Sequence, residues 1–496
     1  MEHRKTSIDE SLSASPTVVN TDEQIRVFQR KLYIRAKQDG SFKAYSLYGK
    51  LCEGQTLSEA YRRVRQNYSK GLGVDNQGFD DVEKKGLNTF LADIGQELEN
   101  RTYKSQAVRQ VLIPKEKKGD FRKLGIPTIR DRVVKMLIEP LWEADFCETS
   151  HGFRPKRGAK EAIKQVKQNI YAGHQLVYDA DLSKYFDTID HSKLFALLKE
   201  RLADKGILGL IQQWLRAPVQ LPDGKLLASR KGSPQGGVIS PLLSNIFLHA
   251  FDRIVNNSKG KFAKANIRIV RYADDFLLMG KGYFSKEILS YINRIMDNMG
   301  LSLNKEKTKL LHISKSSLHF LGFEFRTVPS KFGWNRKNYT NVRPSMKSRS
   351  KFYTKLRDLL AKRKHWTIEW IVWKLNEQLI GWLNYFSINK VTHIWETIKV
   401  IKKYLDYKLF KWMKSKGRKA HRKLRQRPYD NLVKFYQLLD IEKYARLKTL
   451  AKAQCRSLSV SRMSEKFTYG LMKGADPLLL IIFKGSNKVG YQALLY

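Results

Sequence analysis

The chain predicts a mixed α/β centre flanked by helical regions, and three stretches carry that prediction. Residues 111–127 (VLIPKEKKGDFRKLGIP) read as two short strands joined by a charged turn, and residues 267–279 as two apolar strands separated only by RYADD. After Phe325 the apolar residues recur at helical spacing instead. At 496 residues the chain exceeds what one hydrophobic core organises, so two or more domains are expected.

In chain order, residues 1–24 are polar, rich in serine and threonine and free of aromatics, the composition of a mobile tail. Residues 25–102 read as helical, with Tyr45, Leu47, Leu51, Leu57, Ala60 and Tyr61 spaced among charges and a loop at SKGLGVDNQG. Residues 103–325 hold the strands, among them QLVYDADL, which passes into a helix. Residues 326–400 read as long basic helices, in which the stripe Leu375, Leu379, Trp382 and Phe386 is first of all a core face. Residues 401–496 are basic: from Ile401 to Asp430, twelve Lys/Arg stand against two acids, interleaved with Tyr404, Tyr407, Phe410 and Trp412.

Ninety-three basic residues against 47 acids give a net charge of +46. A field of that size attracts polyanions, nucleic acid before a membrane surface. Mean hydropathy is −0.47, and the apolar run at residues 477–483 is far short of the roughly 20 residues a spanning helix needs, so no membrane partner is expected. Cys52, Cys147 and Cys455 lie far apart without a CxxC pair, which fits buried thiols in a reducing compartment better than a zinc module. The first residues lack the apolar stretch of a signal peptide, so a cytoplasmic, nucleoid-associated protein is expected.

Asp274 and Asp275 stand at the tip of the apolar hairpin IVRYADDFLLM, where a simple turn would more naturally use Asn-Gly or Asp-Gly. Asp181 ends the apolar run of LVYDADLSKYFDTI. Carboxylates delivered from separate strands are what a two-metal phosphoryl-transfer site needs, with its ions roughly 3.5–4 Å apart. An isolated Asp-Asp pair is usually a solvated turn. Here a second strand-end aspartate, a glycine-rich loop and a basic strand pair accompany it in one order.

A resemblance to one known family runs from about Tyr45 to about Lys390 and includes the motifs IPKEKKGDFRKLGIPTIRDR, HGFRPKRGA, DADLSKYFDTIDH, GSPQGGVISPLLSNIFL, RYADDF, LSLNKEKTK, FLGFEF and LIGWLNYF. On these residues the chain resembles the group II intron-encoded reverse transcriptases, also called maturases. The resemblance implies an α/β right-hand polymerase: a helical N-terminal extension at 25–102, fingers and palm at 103–325, a maturase thumb at 326–400 and a basic DNA-binding region at 401–496. It also implies an RNA-directed DNA polymerase that uses Mg²⁺ and dNTPs, binds an RNA template, intron RNA and a DNA target or primer, and assists splicing.

By the same resemblance Asp181, Asp274 and Asp275 are the catalytic, metal-holding carboxylates, with the backbone of Leu182 beside them; hard oxygen donors suit Mg²⁺. Phe186 matches a bulky gate against the ribose 2′-hydroxyl, though packing of an amphipathic helix also accounts for it. Lys115 and Arg122 match finger residues that hold the triphosphate; solvated strand charges are the plain alternative. Gln235 and Gly236 match the loop along the nascent pair, and Ser233 stands where the family usually has threonine. Lys307 matches a lysine near the leaving pyrophosphate. Leu321 and Gly322 match the hairpin that grips the primer end, a buried strand glycine explaining them equally well.

In the thumb, Lys362, Arg363, Lys364 and Lys390 are the expected RNA contacts, and KLFKWMKSKGRKAHRKLRQR resembles the DNA-binding region in position and composition. Many relatives end in a zinc-supported HNH endonuclease with paired cysteines, whereas this C-terminus carries only Cys455. An enzyme that takes its primer from elsewhere is therefore expected. Two other readings stay open: a splicing cofactor that no longer polymerises, against which the intact carboxylates argue, and a domesticated or defence enzyme free of any intron. Whether two copies form a homodimer is also open.

Overall fold

The computed structural model describes residues 21–67, 71–114, 119–134, 139–234, 236–237, 239–330, 338–362, 366–415 and 423–447. Lys115, Gln235, Arg363, Lys364 and Cys455 lie outside the described residues, as do residues 1–20 and 448–496 of the tail and the basic region. Strands are numbered in chain order: β1 Val108–Pro114, β2 Phe121–Ile126, β3 Leu176–Ala180, β4 Val219–Gln220, β5 Leu226–Leu227, β6 Ile267–Tyr272, β7 Asp275–Gly280, β8 Lys309–His312, β9 Leu318–Phe320, β10 Phe323–Pro329 and β11 Asn338–Pro344. The chain divides into two compact units, residues 1–146 with 184–250, and residues 147–183 with 251–496.

The first unit begins with the expected helices, Thr21–Gln38, Tyr48–Cys52, Gly54–Asn67 and Phe79–Glu99. The last of these starts where Asp81 accepts a hydrogen bond from the Gly78 amide at 2.8 Å, and Asp80 and Asp81 complement the helix dipole. The anticipated pair β1 and β2 is antiparallel, and its sheet runs β2-β1-β4-β5. Helix Lys205–Arg216 is capped by Asp204, which accepts from the Ile207 amide at 3.1 Å. Its buried face is Ile207, Leu210, Ile211, Trp214 and Leu215.

The second unit is built on an antiparallel sheet, β6-β7-β3-β8. Phe276, Leu277, Leu278 and Met279 are all fully buried, so β7 is covered on both faces and reads as a continuous apolar run rather than an alternation. Helix Ala159–Tyr171 contributes Ala162, Ile163, Val166 and Ile170 to the same core as Val177, Val270, Leu277 and Met279, while Phe251 meets Phe276 at 5.2 Å.

Helices do not follow directly on Phe325, contrary to the reading of a purely helical region from 326. β10 continues to Pro329, β11 pairs with it, and the next helix starts at Met346. β11 buries Thr340, Val342 and Pro344 on alternate positions, and its Arg343 is paired with Glu324 at 2.9 Å. A strand that buries a threonine and a proline leaves little apolar periodicity to read. Helix Ile368–Phe386 behaves as anticipated: Leu375, Leu379, Trp382 and Phe386 are buried, and Trp382 stacks on Phe352 at 5.0 Å. Among the described residues no helix is long and apolar enough to cross a membrane.

Candidate active site

In the second unit β6 and β7 meet in a two-residue turn. Tyr272 pairs with Asp275, which leaves Ala273 and Asp274 as the turn itself. Ala273 adopts φ 56, the left-handed region that glycine usually fills at such a position, at a cost on the order of 1 kcal/mol. Asp274 is half-buried, and Asp275, at the first position of β7, keeps part of its surface exposed while its carboxyl is packed among neighbouring groups. β3 runs antiparallel beside β7 with Ala180 opposite Phe276. Asp181, one residue past the end of β3, is therefore delivered next to Asp275, as cross-strand neighbours are.

The backbone around Asp181 is held on both sides. The Asn304 amide donates to the Asp181 carbonyl at 2.8 Å, and the Ser183 amide donates to the Ser302 carbonyl at 2.9 Å. Buried Leu182 bridges Leu303. The same segment carries Lys307, whose Nζ donates to Asp181 Oδ2 at 3.0 Å. Asp181, Asp274, Asp275 and Lys307 thus come together, although Lys307 is 126 residues from Asp181 in the chain.

Burial, followed by Asp274, Asp181 and Asp179, pushes the Asp275 carboxyl up to about 6, with Lys307 opposing. Asp179 is likewise raised to about 6 by burial and then by Asp181, with Lys309 opposing from the facing register position. A carboxyl raised by burial and by neighbouring carboxylates, as Asp275 is, is poised for a divalent cation, and hard oxygen donors fit one. Among the described residues no three His, Cys, Asp or Glu side chains are gathered tightly enough to ligate an ion as they stand. Lys307 supplies the positive charge against Asp181.

The sign of the pH effect follows. Between pH 3.8 and about 6 the folded chain holds protons on Asp275 that the unfolded chain has lost, so raising the pH through that window destabilises the fold. In chelator, Asp275→Asn should melt above wild type, by a margin that opens from about pH 4 and levels off above about pH 6. Thermal melts across pH check this, and a margin independent of pH would contradict it.

The first unit carries Arg122, Phe186 and Gly236. Arg122 is exposed on β2, across from Ile113. Gly236 has φ 95, and a Cβ there would lie 2.6 Å from Leu124 Cδ1 and 2.7 Å from the Gly125 carbonyl, so the loop backbone rests against β2 at Leu124 and Gly125. The same loop reaches Phe186, whose carbonyl accepts from the Ser233 amide at 2.7 Å. The Phe186 ring is half-buried and meets Tyr185 edge-on at 5.4 Å.

Leu321 and Gly322 form a two-residue turn between β9 and β10, with φ 49 and 78, the pattern of a type I′ hairpin. The Tyr385 hydroxyl donates to the Leu321 carbonyl at 3.0 Å. The Ser348 hydroxyl donates to the Gly322 carbonyl at 2.9 Å. Sequence reasoning missed both clamps; Tyr385 lies within LIGWLNYF, and only its departure from the buried stripe hinted at a separate task. Lys390 is exposed, and its carbonyl accepts from Lys167 Nζ at 3.2 Å.

A hairpin and a neighbouring strand end bring these aspartates to one place, and comparison with known proteins gives the class of the chain. The reverse transcriptase (RNA-dependent DNA polymerase) family matches residues 113–325, and the group II intron maturase-specific domain matches residues 349–429. Protein YkfC of Escherichia coli is 33% identical over 379 residues, which cover 68% of this chain and 97% of the relative. Group II intron-encoded protein LtrA of Lactococcus lactis is 28% identical over 334 residues, 54% of this chain and 55% of the relative. The putative COX1/OXI3 intron 2 protein of Saccharomyces cerevisiae is 28% identical over 341 residues, 57% of this chain and 39% of the relative. The chain thus spans only about half of LtrA.

The chain belongs to the group II intron-encoded reverse transcriptase and maturase family. Its class is RNA-directed DNA polymerase, with a right-hand polymerase-like fold, chemistry that uses divalent metal ions, and RNA and DNA as substrates. The family serves intron splicing and mobility as well as DNA synthesis.

Proposed function

We propose that the chain extends a DNA primer along an RNA template with dNTPs and Mg²⁺, and that it binds group II intron RNA to assist splicing and mobility. The observation that best supports the chemistry is the Asp275 carboxyl, on which burial, Asp274 and Asp181 all act, with Lys307 set against Asp181. Asp181, Asp274 and Asp275 would hold the cations, and the Leu182 carbonyl adds an oxygen. When bound, a pair of cations supplies the charge that acidifies the primer 3′-hydroxyl and neutralises the triphosphate.

The chain's own residues position the reactants. Lys115 grips the triphosphate as a point charge and Arg122 as a fork. Gln235 and Gly236 line the nascent base pair, Phe186 excludes a ribose 2′-hydroxyl, and Lys307 neutralises or protonates the departing pyrophosphate. Leu321 and Gly322 hold the primer end. Residues 103–325 act as fingers and palm and residues 326–400 as thumb, with intron RNA on the thumb's basic flanks. Residues 401–496 take the DNA target, in the cytoplasm at the nucleoid.

Extension of a labelled primer on an RNA template tests the reading: MgCl₂ supports synthesis, EDTA stops it, and fresh MgCl₂ restores it. Activity indifferent to chelator would overturn it. RNA affinity should fall linearly on logarithmic axes with salt, by about 0.7 per phosphate contacted. A flat salt response in a filter-binding assay would remove the basic surfaces from the account.

A further inference from the structure

The turn that presents Asp274 is tied to a buried ion pair. Arg271 and Asp252 are both completely buried. Arg271 Nε donates to Asp252 Oδ1 at 2.9 Å, and Nη2 donates to Oδ2 at 2.5 Å. The third arm is aimed elsewhere: Nη1 donates to the Ala273 carbonyl at 2.9 Å, the peptide that leads into Asp274. One guanidinium thus holds both a core carboxylate and the left-handed turn residue, a division of labour that a single-headed ammonium cannot copy.

A second element braces the turn from outside the sheet. The Arg271 amide donates to the Thr149 carbonyl at 2.8 Å, and the His151 amide donates to the Arg271 carbonyl at 2.9 Å. Gly152 then lies flat against the turn, where a Cβ would stand 2.3 Å from the Ala273 nitrogen and 2.9 Å from the Tyr272 carbonyl carbon. Arg154 Nη1 fixes this arc by donating to the Cys147 and Ser150 carbonyls, each at 2.7 Å. The Asn256 side chain ties it to Thr149 at 3.0 Å.

We propose that Arg271, anchored by Asp252, is a positioning residue: it holds the Ala273–Asp274 turn in the strained form that places the aspartates for the divalent cation, with Gly152 setting the turn's back wall. The inference rests on Asp274 and Asp275 as cation ligands. A buried ion pair kept only for stability could be replaced by apolar residues of similar volume at little cost. Here one donor of the pair is assigned to the turn backbone, and that assignment gives the pair a second task.

The test is Mn²⁺ binding read by electron paramagnetic resonance, with thermal melts in EDTA, on the full chain. Arg271→Lys keeps the charge opposite Asp252 but loses the turn bond, and the double variant Asp252→Leu with Arg271→Met removes the pair without leaving a charge unpaired. Gly152→Ala pushes on the turn without touching the pair. Each should bind Mn²⁺ at least tenfold more weakly than wild type, with primer–template affinity in EDTA unchanged and a melt that remains cooperative. Wild-type Mn²⁺ affinity in Arg271→Lys and in the double variant would overturn the proposal, as would a loss of affinity that merely tracks unfolding. Asp274→Ala is the control: if it too binds Mn²⁺ normally, the ligand assignment itself has failed, whereas loss there alone sinks only the positioning role.

Discussion

Asp274→Ala should abolish RNA-templated primer extension, lowering kcat on the order of 10³-fold or more, as loss of a group acting directly on the transition state does. Primer–template affinity measured in chelator should not change, because the substitution removes no basic side chain. The variant should also melt above wild type in chelator, since Asp274 follows burial as the largest cause of the raised Asp275 carboxyl. Activity lost together with stability would describe a damaged fold; activity lost while stability rises is the signature of a charge cluster kept for chemistry. Single-turnover extension and a melt on the same preparation separate the two.

Phe186→Ala carries the second large effect. With the ring removed, ribonucleotides should enter, and the preference for dNTP over rNTP, taken as the ratio of kcat/KM values, should fall by about 10²-fold. Extension with dNTPs should be affected far less. The short helix Tyr185–Thr188 should survive, because buried Tyr185, whose hydroxyl donates to the Ser244 carbonyl at 2.7 Å, anchors it. Unchanged sugar discrimination would reduce Phe186 to a packing residue. Competitive incorporation opposite one template base measures the ratio directly.

Much of this was legible because it is local. Asp274 and Asp275 interrupt an apolar run at one point, and Asp181 ends another. The stripe from Leu375 to Phe386 was legible for the same reason: a helix repeats every 3.6 residues whatever it packs against.

What periodicity cannot convey is which distant residues meet. Lys307 reaches Asp181, Tyr385 clamps Leu321 and Arg271 shares itself between Asp252 and Ala273 across 126, 64 and 19 residues of chain or two. Lys307 was placed through family resemblance, and the other two were not foreseen. β11 was missed for a different reason. Its inward positions are Thr340, Val342 and Pro344 and its outward ones include Asn341 and Arg343, a composition that signals loop more than strand.

The central claim is that one site, built from Asp181, Asp274 and Asp275, copies RNA into DNA. Its most direct measurement is single-turnover addition of one complementary dNTP to a primer annealed on RNA, with enzyme in excess and MgCl₂ present. The account predicts that the primer lengthens by one nucleotide with release of one pyrophosphate, and that Asp181→Asn, Asp274→Asn and Asp275→Asn each stop the step while still binding the primer–template. A wild-type chain that binds the hybrid and leaves the primer unextended, or an Asn variant that extends it at the wild-type rate, would contradict it.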